Sequence, residues 1–216
     1  TSSIAVYGPA QLPMREDTLP IPEDPYGIAK LAVEQDLKAA HHMFGLDYVV
    51  FRPHNVYGEF QNIGDKYRNV IGIFMNRLLQ GLDMPVFGDG GQTRAFTYVG
   101  DIAPLIAKSV TVPEAYNEAF NVGADTVTTV KELAYLVAEV MGMDPNLSYH
   151  EARKEVQHAY SDHSKVRRIF GDVRETPLKQ GLQCMADWVK TVGSRQSQDF
   201  GNIEIAQNLP SRWVSK

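Results

Sequence analysis

The chain has 216 residues, a net charge of −5 and a single cysteine, Cys184. This is enough for one or two domains with a sizeable core. No basic block points to nucleic acid as a partner, and no apolar run approaches the ~20 residues that span a membrane. A lone cysteine excludes an intramolecular disulfide framework and a cysteine-based metal cluster, and it suits a reducing cytoplasm.

In chain order, Thr1 to Gly8 reads as the end of a buried strand running into a turn, with the small hydroxyls Ser2 and Ser3 at its start. A polar, proline-rich loop leads to Pro25. Tyr26 to Phe44 has helical spacing, with Ile28, Leu31, Ala32, Val33, Leu37 and Ala40 as apolar positions and Gly45 as terminator. Asp47 to Arg52 is a short continuous apolar strand of the kind found in a parallel sheet covered on both faces. A loop containing Pro53, His54 and Asn55 leaves it. Asn69 to Leu79 is an amphipathic helix, Met84 to Phe87 a strand, and Gln92 to Val99 a second strand after a glycine turn. Asp101 is placed to cap a helix over Ile102 to Val110.

Ala119 to Gly123 is another strand, and Thr128 or Thr129 caps a helix over Val130 to Met141. Leu147 to Glu151 is a short strand, Ser164 to Gly171 a short helix and Leu178 to Val192 the last clear helix, with a polar tail from Gly193. Cys184 is expected in the core, and His150, His158 and His163 lack metal-ligand spacing. The pattern is α/β: the C-terminal part of a parallel sheet at residues 1–58, a smaller α/β unit mainly over 59–193, and a tail from 194 to 216.

The stretch Asp24-Pro25-Tyr26-Gly27-Ile28-Ala29-Lys30 carries the clearest chemistry. Tyr26 and Lys30 are four apart, so a helix puts them on one face. A cation there favours the phenolate, and a tyrosine tuned in this way can act as a general base near neutral pH. In open parallel sheets, ligands bind beyond the carboxyl ends of the strands, where Ser3 and Asn55 are expected.

Taken together, S-S-I-A-V-Y-G, P-Y-G-I-A-K, R-P-H-N-V-Y-G, F-G-D-G-x-Q-T-R-x-F-x-Y-V, F-N-V-G and R-x-E-V-x-x-A-Y-x-D-x-S-K occur in the order found in extended short-chain dehydrogenase/reductases. The chain resembles more narrowly the NAD-dependent nucleotide-sugar epimerases of the UDP-glucose 4-epimerase group. The departure is at the front. The family opens with a G-x-x-G-x-x-G turn that holds the NAD pyrophosphate, and nothing here matches it. The resemblance therefore implies a chain that starts partway through a Rossmann-like sheet and could be a fragment.

The resemblance implies Tyr26 as the base, Lys30 on the nicotinamide ribose, and Ser3 on the reacting sugar oxygen. Ser2 and Pro53 are implied as further cofactor contacts. For the nucleotide sugar it implies Asn55, the helix start at Asn69 and Val70, Phe87 near the base, Arg94 on the diphosphate, and Arg153 with Glu155 near the ribose. Sugar-nucleotide 4,6-dehydratases carry an Asp-Glu pair where this chain has Ile4 and Ala5, which disfavours dehydration. A small residue at Ala159 implies room for an N-acetyl group on the sugar. An intact homodimer pairing through the Tyr26–Phe44 helix is expected. A related decarboxylase, a 3,5-epimerase and a non-catalytic UDP-sugar-binding module remain as alternatives.

Overall fold

The structure, a computed structural model, describes residues 1–10, 12–65, 68–152, 156–197 and 207. The first turn is not a strand. Ile4–Tyr7 forms a 3-10 helix, and the Ser3 hydroxyl caps it by accepting from the Ala5 amide at 3.2 Å. Ile4, Val6 and Tyr7 are nonetheless buried. A short apolar run fits either geometry, and periodicity alone cannot tell them apart. A single backbone bond, from the Ser2 amide to the Phe51 carbonyl at 2.7 Å, ties this segment to the strand beside it.

Helix α1 spans Pro25–Phe44. Asp24 caps it by accepting from the Gly27 amide at 2.7 Å, Pro25 takes the first helical position, and Gly45 closes it in the left-handed region. Then follow β1 (Val49–Pro53), β2 (Val56–Tyr57), α2 (Val70–Leu79) and β3 (Met84–Phe87). The expected strand at 92–99 is broken at the buried Phe96 into β4 (Thr93–Ala95) and β5 (Thr97–Tyr98), which pair with different neighbours. Helix α3 runs Val99–Lys108 and starts earlier than expected. Asp101 lies within its first turn and does not cap it; its carboxylate accepts from the amide and hydroxyl of Thr176 at 2.7 and 2.6 Å. The chain continues through β6 (Glu118–Val122), β7 (Val127–Thr129), α4 (Val130–Met141), β8 (Leu147–His150), β9 (His158–Ala159), α5 (Ser164–Phe170) and α6 (Leu178–Val192). Thr129 and Glu132 form a reciprocal capping box on α4.

The strands pair mostly in parallel: β1 with β6, β2 with β5, β3 with β8 and β4 with β9, while β4 also pairs antiparallel with β7. One apolar cluster joins α2, α4 and α6, with Phe74, Leu133 and Met185 fully buried in it. A second surrounds Phe51 and Phe120, which face each other in the β1–β6 register, with α3 and α5 packed on it. A third gathers Ile4, Val6, Tyr7 and Met14, with Leu31 and Ala159 against it. Cys184 is half-buried, not a core residue.

Helix α1 forms where its spacing indicated but leaves much of its apolar pattern exposed in the single chain. Ile28 and Val33 are more than half exposed, and the helix buries only Gly27 and Glu34. Gly27 allows close approach: a Cβ there would lie 2.6 Å from the Ala5 carbonyl oxygen. Glu34 is 2% exposed and meets Arg52 of β1, itself 4% exposed, through Arg52 Nε–Oε1 at 2.9 Å and Nη2–Oε2 at 2.6 Å. Arg52 Nη1 also donates to the Tyr7 hydroxyl at 2.7 Å, and that hydroxyl donates to Asn121 of β6 at 2.8 Å. Burial alone would raise the Glu34 carboxyl; the Arg52 hydrogen bonds and charge outweigh it and hold the group below its ordinary value. Glu34→Ala leaves a buried guanidinium without its anion, so unfolding in urea should show a loss of about 3–5 kcal/mol. A loss below about 1 kcal/mol would show that α1 is held by other contacts.

Candidate functional site

Two groups of side chains were expected to form one site, and the fold places them in two neighbouring places. Tyr26 and Lys30 share the exposed face of the first turns of α1, with Lys30 Nζ 5.6 Å from the Tyr26 ring centre. Lys30 Nζ also donates to the Thr1 carbonyl at 3.0 Å. The 3-10 turn that Ser3 caps packs on the same end of α1 at Gly27, so Ser3 lies at the end of the helix that carries Tyr26 and Lys30. Ser2 is buried and Pro53 half-buried at the end of β1.

The second place is a cavity of about 580 Å³ bordered by α2, the loop after β1, and strands β3 and β4. This is within the roughly 300–1,000 Å³ usual for small-molecule sites. Asn55, Asn69, Val70, Phe87 and Arg94 all line it. Asn69 sits in the left-handed region at φ 65° and makes no side-chain cap bond to α2. The first-turn amides of α2 therefore keep their capacity to meet an anion. Arg94 Nη1 donates to the Thr93 and Gln157 carbonyls at 2.8 and 3.0 Å, which fixes one edge of its guanidinium. The Phe87 and His150 rings lie 5.6 Å apart, tilted by 35°. Asn55, at φ 43°, donates to the Ala95 carbonyl at 3.0 Å.

Ala159 bridges the two places. It is the register partner of Arg94 in the β4–β9 pair, and it packs on the cluster of Ile4, Val6 and Tyr7 that backs the Ser3 turn. Arg153 and Glu155 lie outside the described residues.

A buried imidazole pair behind Asn55 was not anticipated. His54 Nδ1 donates to the same Ala95 carbonyl at 2.9 Å, which leaves its Nε2 as the acceptor facing His163 Nε2 at 3.1 Å. The rings stack at 5.3 Å. His163 Nδ1 is 2.6 Å from Asp125, which also pairs with Arg167. Gly123 is required beside them, since a Cβ there would lie 2.1 Å from His54 Nε2. The only signal in the sequence was two histidines far apart, with nothing to say that they meet. Among the described residues no group of His, Cys, Asp or Glu could hold a metal ion, and no helix is long and apolar enough to cross a membrane.

Comparison with known proteins agrees with this geometry. Residues 1–123 match the model of the NAD dependent epimerase/dehydratase family. A putative UDP-glucose 4-epimerase of Methanocaldococcus jannaschii is 34% identical over 192 residues, covering 88% of this chain and 61% of that protein. The UDP-N-acetylglucosamine 4-epimerase of Methanobrevibacter ruminantium, solved with UDP-N-acetylmuramic acid, superposes with a TM-score of 0.83 at 31% identity over 88% of this chain and 62% of its own. The UDP-glucuronic acid 4-epimerase of Bacillus cereus, solved with UDP-glucuronic acid and NAD, gives 0.81 at 25% identity over 88% and 60%. The chain thus spans about three fifths of the length of these relatives.

Burial first, and the neighbouring His163 second, push His54 from 6.5 down to about 4. The unfolded chain binds this proton more readily than the folded one. The contribution is therefore complete above pH 6.5 and is lost as pH falls toward 4, by up to ~3 kcal/mol. Urea midpoints taken across that window should fall less steeply for His54→Gln than for the wild type. Parallel curves would count against a buried neutral His54.

Proposed function

Because the chain belongs to the NAD dependent epimerase/dehydratase family, we propose that it is the substrate-binding and catalytic-tyrosine part of a nucleotide-sugar 4-epimerase acting on UDP-hexoses or UDP-N-acetylhexosamines. The observation that carries this reading is the cavity lined by Asn55, Asn69, Val70, Phe87 and Arg94, joined through Ala159 to the Ser3–Tyr26–Lys30 group. A nucleotide sugar needs both: a cationic, amide-rich cleft for the nucleotide and a proton-transfer group for the sugar.

In this reading Arg94 and the α2 amides take the diphosphate, and Phe87 lies against the base. The sugar extends past Ala159 toward Tyr26. The Tyr26 oxygen removes the proton of the sugar 4-hydroxyl as its carbon is oxidised to the ketone, and returns it when the carbonyl is reduced on the other face. Ser3 hydrogen-bonds the same sugar oxygen. NAD supplies the hydride acceptor and donor for that carbon. The residues present fit its nicotinamide-ribose end: the exposed Tyr26 and the half-buried Lys30, whose ammonium also reaches the Thr1 carbonyl, share one face of α1. This 216-residue sequence holds no G-x-x-G-x-x-G turn for the pyrophosphate. The exposed Ile28, Val33 and Phe44 of α1 support pairing with a second copy, and the single cysteine supports a cytoplasmic setting.

Tyr26→Phe should abolish epimerisation of a UDP-sugar, followed by chromatography of the products, while calorimetric UDP affinity stays within about two-fold. Retained turnover in that variant would remove Tyr26 from the mechanism. Ala159→Tyr should weaken binding of UDP-N-acetylglucosamine at least ten-fold more than that of UDP-glucose. Equal weakening of the two would dissociate Ala159 from the sugar substituent.

A further inference from the structure

Asn76 is 3% exposed and projects from α2 among the buried Ile71, Phe74, Met75 and Leu78. A buried amide without partners is costly, about 1–3 kcal/mol for each unsatisfied group. Asn76 meets this need outside its own helix. Its Oδ1 accepts from the Arg195 amide at 2.7 Å, and its Nδ2 donates to the Arg195 carbonyl at 3.0 Å. The pair imitates a step of β-ladder between a side chain and a backbone. One turn on, Gln80 donates to the same carbonyl at 3.0 Å. From the opposite side Gly64 closes in: a Cβ there would lie 3.2 Å from Arg195 Cβ and 3.4 Å from the Gln196 carbonyl oxygen. The segment after α6 is thus gripped between α2 and the 61–65 loop, and the next two residues, Gln196 and Ser197, line the cavity.

We infer that residues 194–197 form a wall of the nucleotide-sugar pocket, and that Asn76 is the positioning residue that holds them there to shape its nucleoside end. This rests on the proposed reading of the cavity. The assignment of the end follows from the chemistry along α2. The anion-binding features in the lining are Arg94 on β4 and the first turn of α2 at Val70. Asn76 and Gln80 lie six and ten residues further along, ~9 and ~15 Å by helical rise. Besides Asn76, whose amide is held by Arg195, the lining groups there are the uncharged Gln80, Gln196 and Ser197, with the carboxylate of Asp65 on the facing loop already paired with Arg68 at 3.0 Å. Arg77, the cation among them, is already paired with Asp83 at 3.0 Å. Neutral donors and acceptors suit the edge of a nucleobase and its ribose, whereas a diphosphate requires the cationic part.

The test is amide hydrogen exchange of the full chain with and without UDP, together with calorimetric UDP affinity of the wild type, Asn76→Leu and Gln196→Ala. UDP should slow exchange within 194–197 at least five-fold in the wild type. Asn76→Leu should abolish that protection and weaken UDP binding at least five-fold. Gln196→Ala leaves the anchor intact and keeps the inference testable should Asn76→Leu fold poorly; it should weaken UDP binding about three-fold. If the wild type binds UDP while exchange in 194–197 is unchanged and Gln196→Ala binds as well as the wild type, the strap has no part in the pocket and the inference fails, the cavity reading standing. If the wild type binds no UDP at millimolar concentration, the cavity reading fails and takes the inference with it.

Discussion

The contact on which the rest of the molecule depends is the buried bidentate pair between Glu34 and Arg52. Removing two charges from water is expensive, and mutual attraction repays it only when geometry is good and the remaining donors are satisfied. Here they are: the third guanidinium edge goes to the Tyr7 hydroxyl, which itself donates a hydrogen bond to Asn121 Oδ1, and Asn121 Nδ2 donates in turn to the Met14 carbonyl. One connected network therefore fixes a helix, two parallel strands and the 3-10 turn against each other. An apolar stripe would have allowed α1 to slide or rotate. A forked ion pair in a network of this kind admits one register, and that register sets where Tyr26 stands, about two turns toward the amino end of α1.

The second constraint is how the Tyr26 group and the cavity are joined. The chain from 157 to 162 runs between them and is held on both sides. Gln157 accepts from the Thr93 amide at 2.9 Å, Ala159 pairs with Arg94, and the Met14 backbone exchanges bonds with Tyr160 and Asp162 at 3.1 and 2.9 Å. His163 then closes onto His54 beneath Asn55. A displacement of this segment would move Ala159 and Arg94 together. That is what a site must do if it is to present one end of an extended ligand while gripping the other.

Much of this was legible in the sequence, and the failures share a cause. Helix α6 runs over the residues its spacing indicated, and Thr129 caps α4, because both features are encoded within a few neighbouring residues. The fold class was also readable, since its motifs stand in recognisable order, and Asn55, Asn69, Val70, Phe87 and Arg94, named from those motifs, fall on one cavity. What could not be read depends on partners distant in sequence. The 1–8 segment is buried as expected but coils as a 3-10 turn, because its capping serine and a single bond to Phe51 decide its geometry. Asp101 resembles a cap, yet it serves Thr176, far along the chain. The strand over 92–99 changes neighbours at Phe96, and a continuous alternating run carries no sign of the switch.

Polar residues on buried helix faces were the least legible, and they turn out to be the most informative. Periodicity arguments count apolar positions and pass over Glu34 in α1 and Asn76 in α2, although each is almost fully buried. A methylene at either place would serve the hydrophobic effect as well or better. What an aliphatic residue cannot do is select a partner at one distance and one orientation. Glu34 selects Arg52, and Asn76 selects the backbone of Arg195, so each converts a helix that could pack in several ways into one that packs in a single way. The two helices held like this border the two places proposed as functional: α1 carries Tyr26, and α2 forms a wall of the cavity. The polar burial thus falls where positional accuracy matters for chemistry, while α4 and α6, which border neither as closely, are packed by apolar contacts.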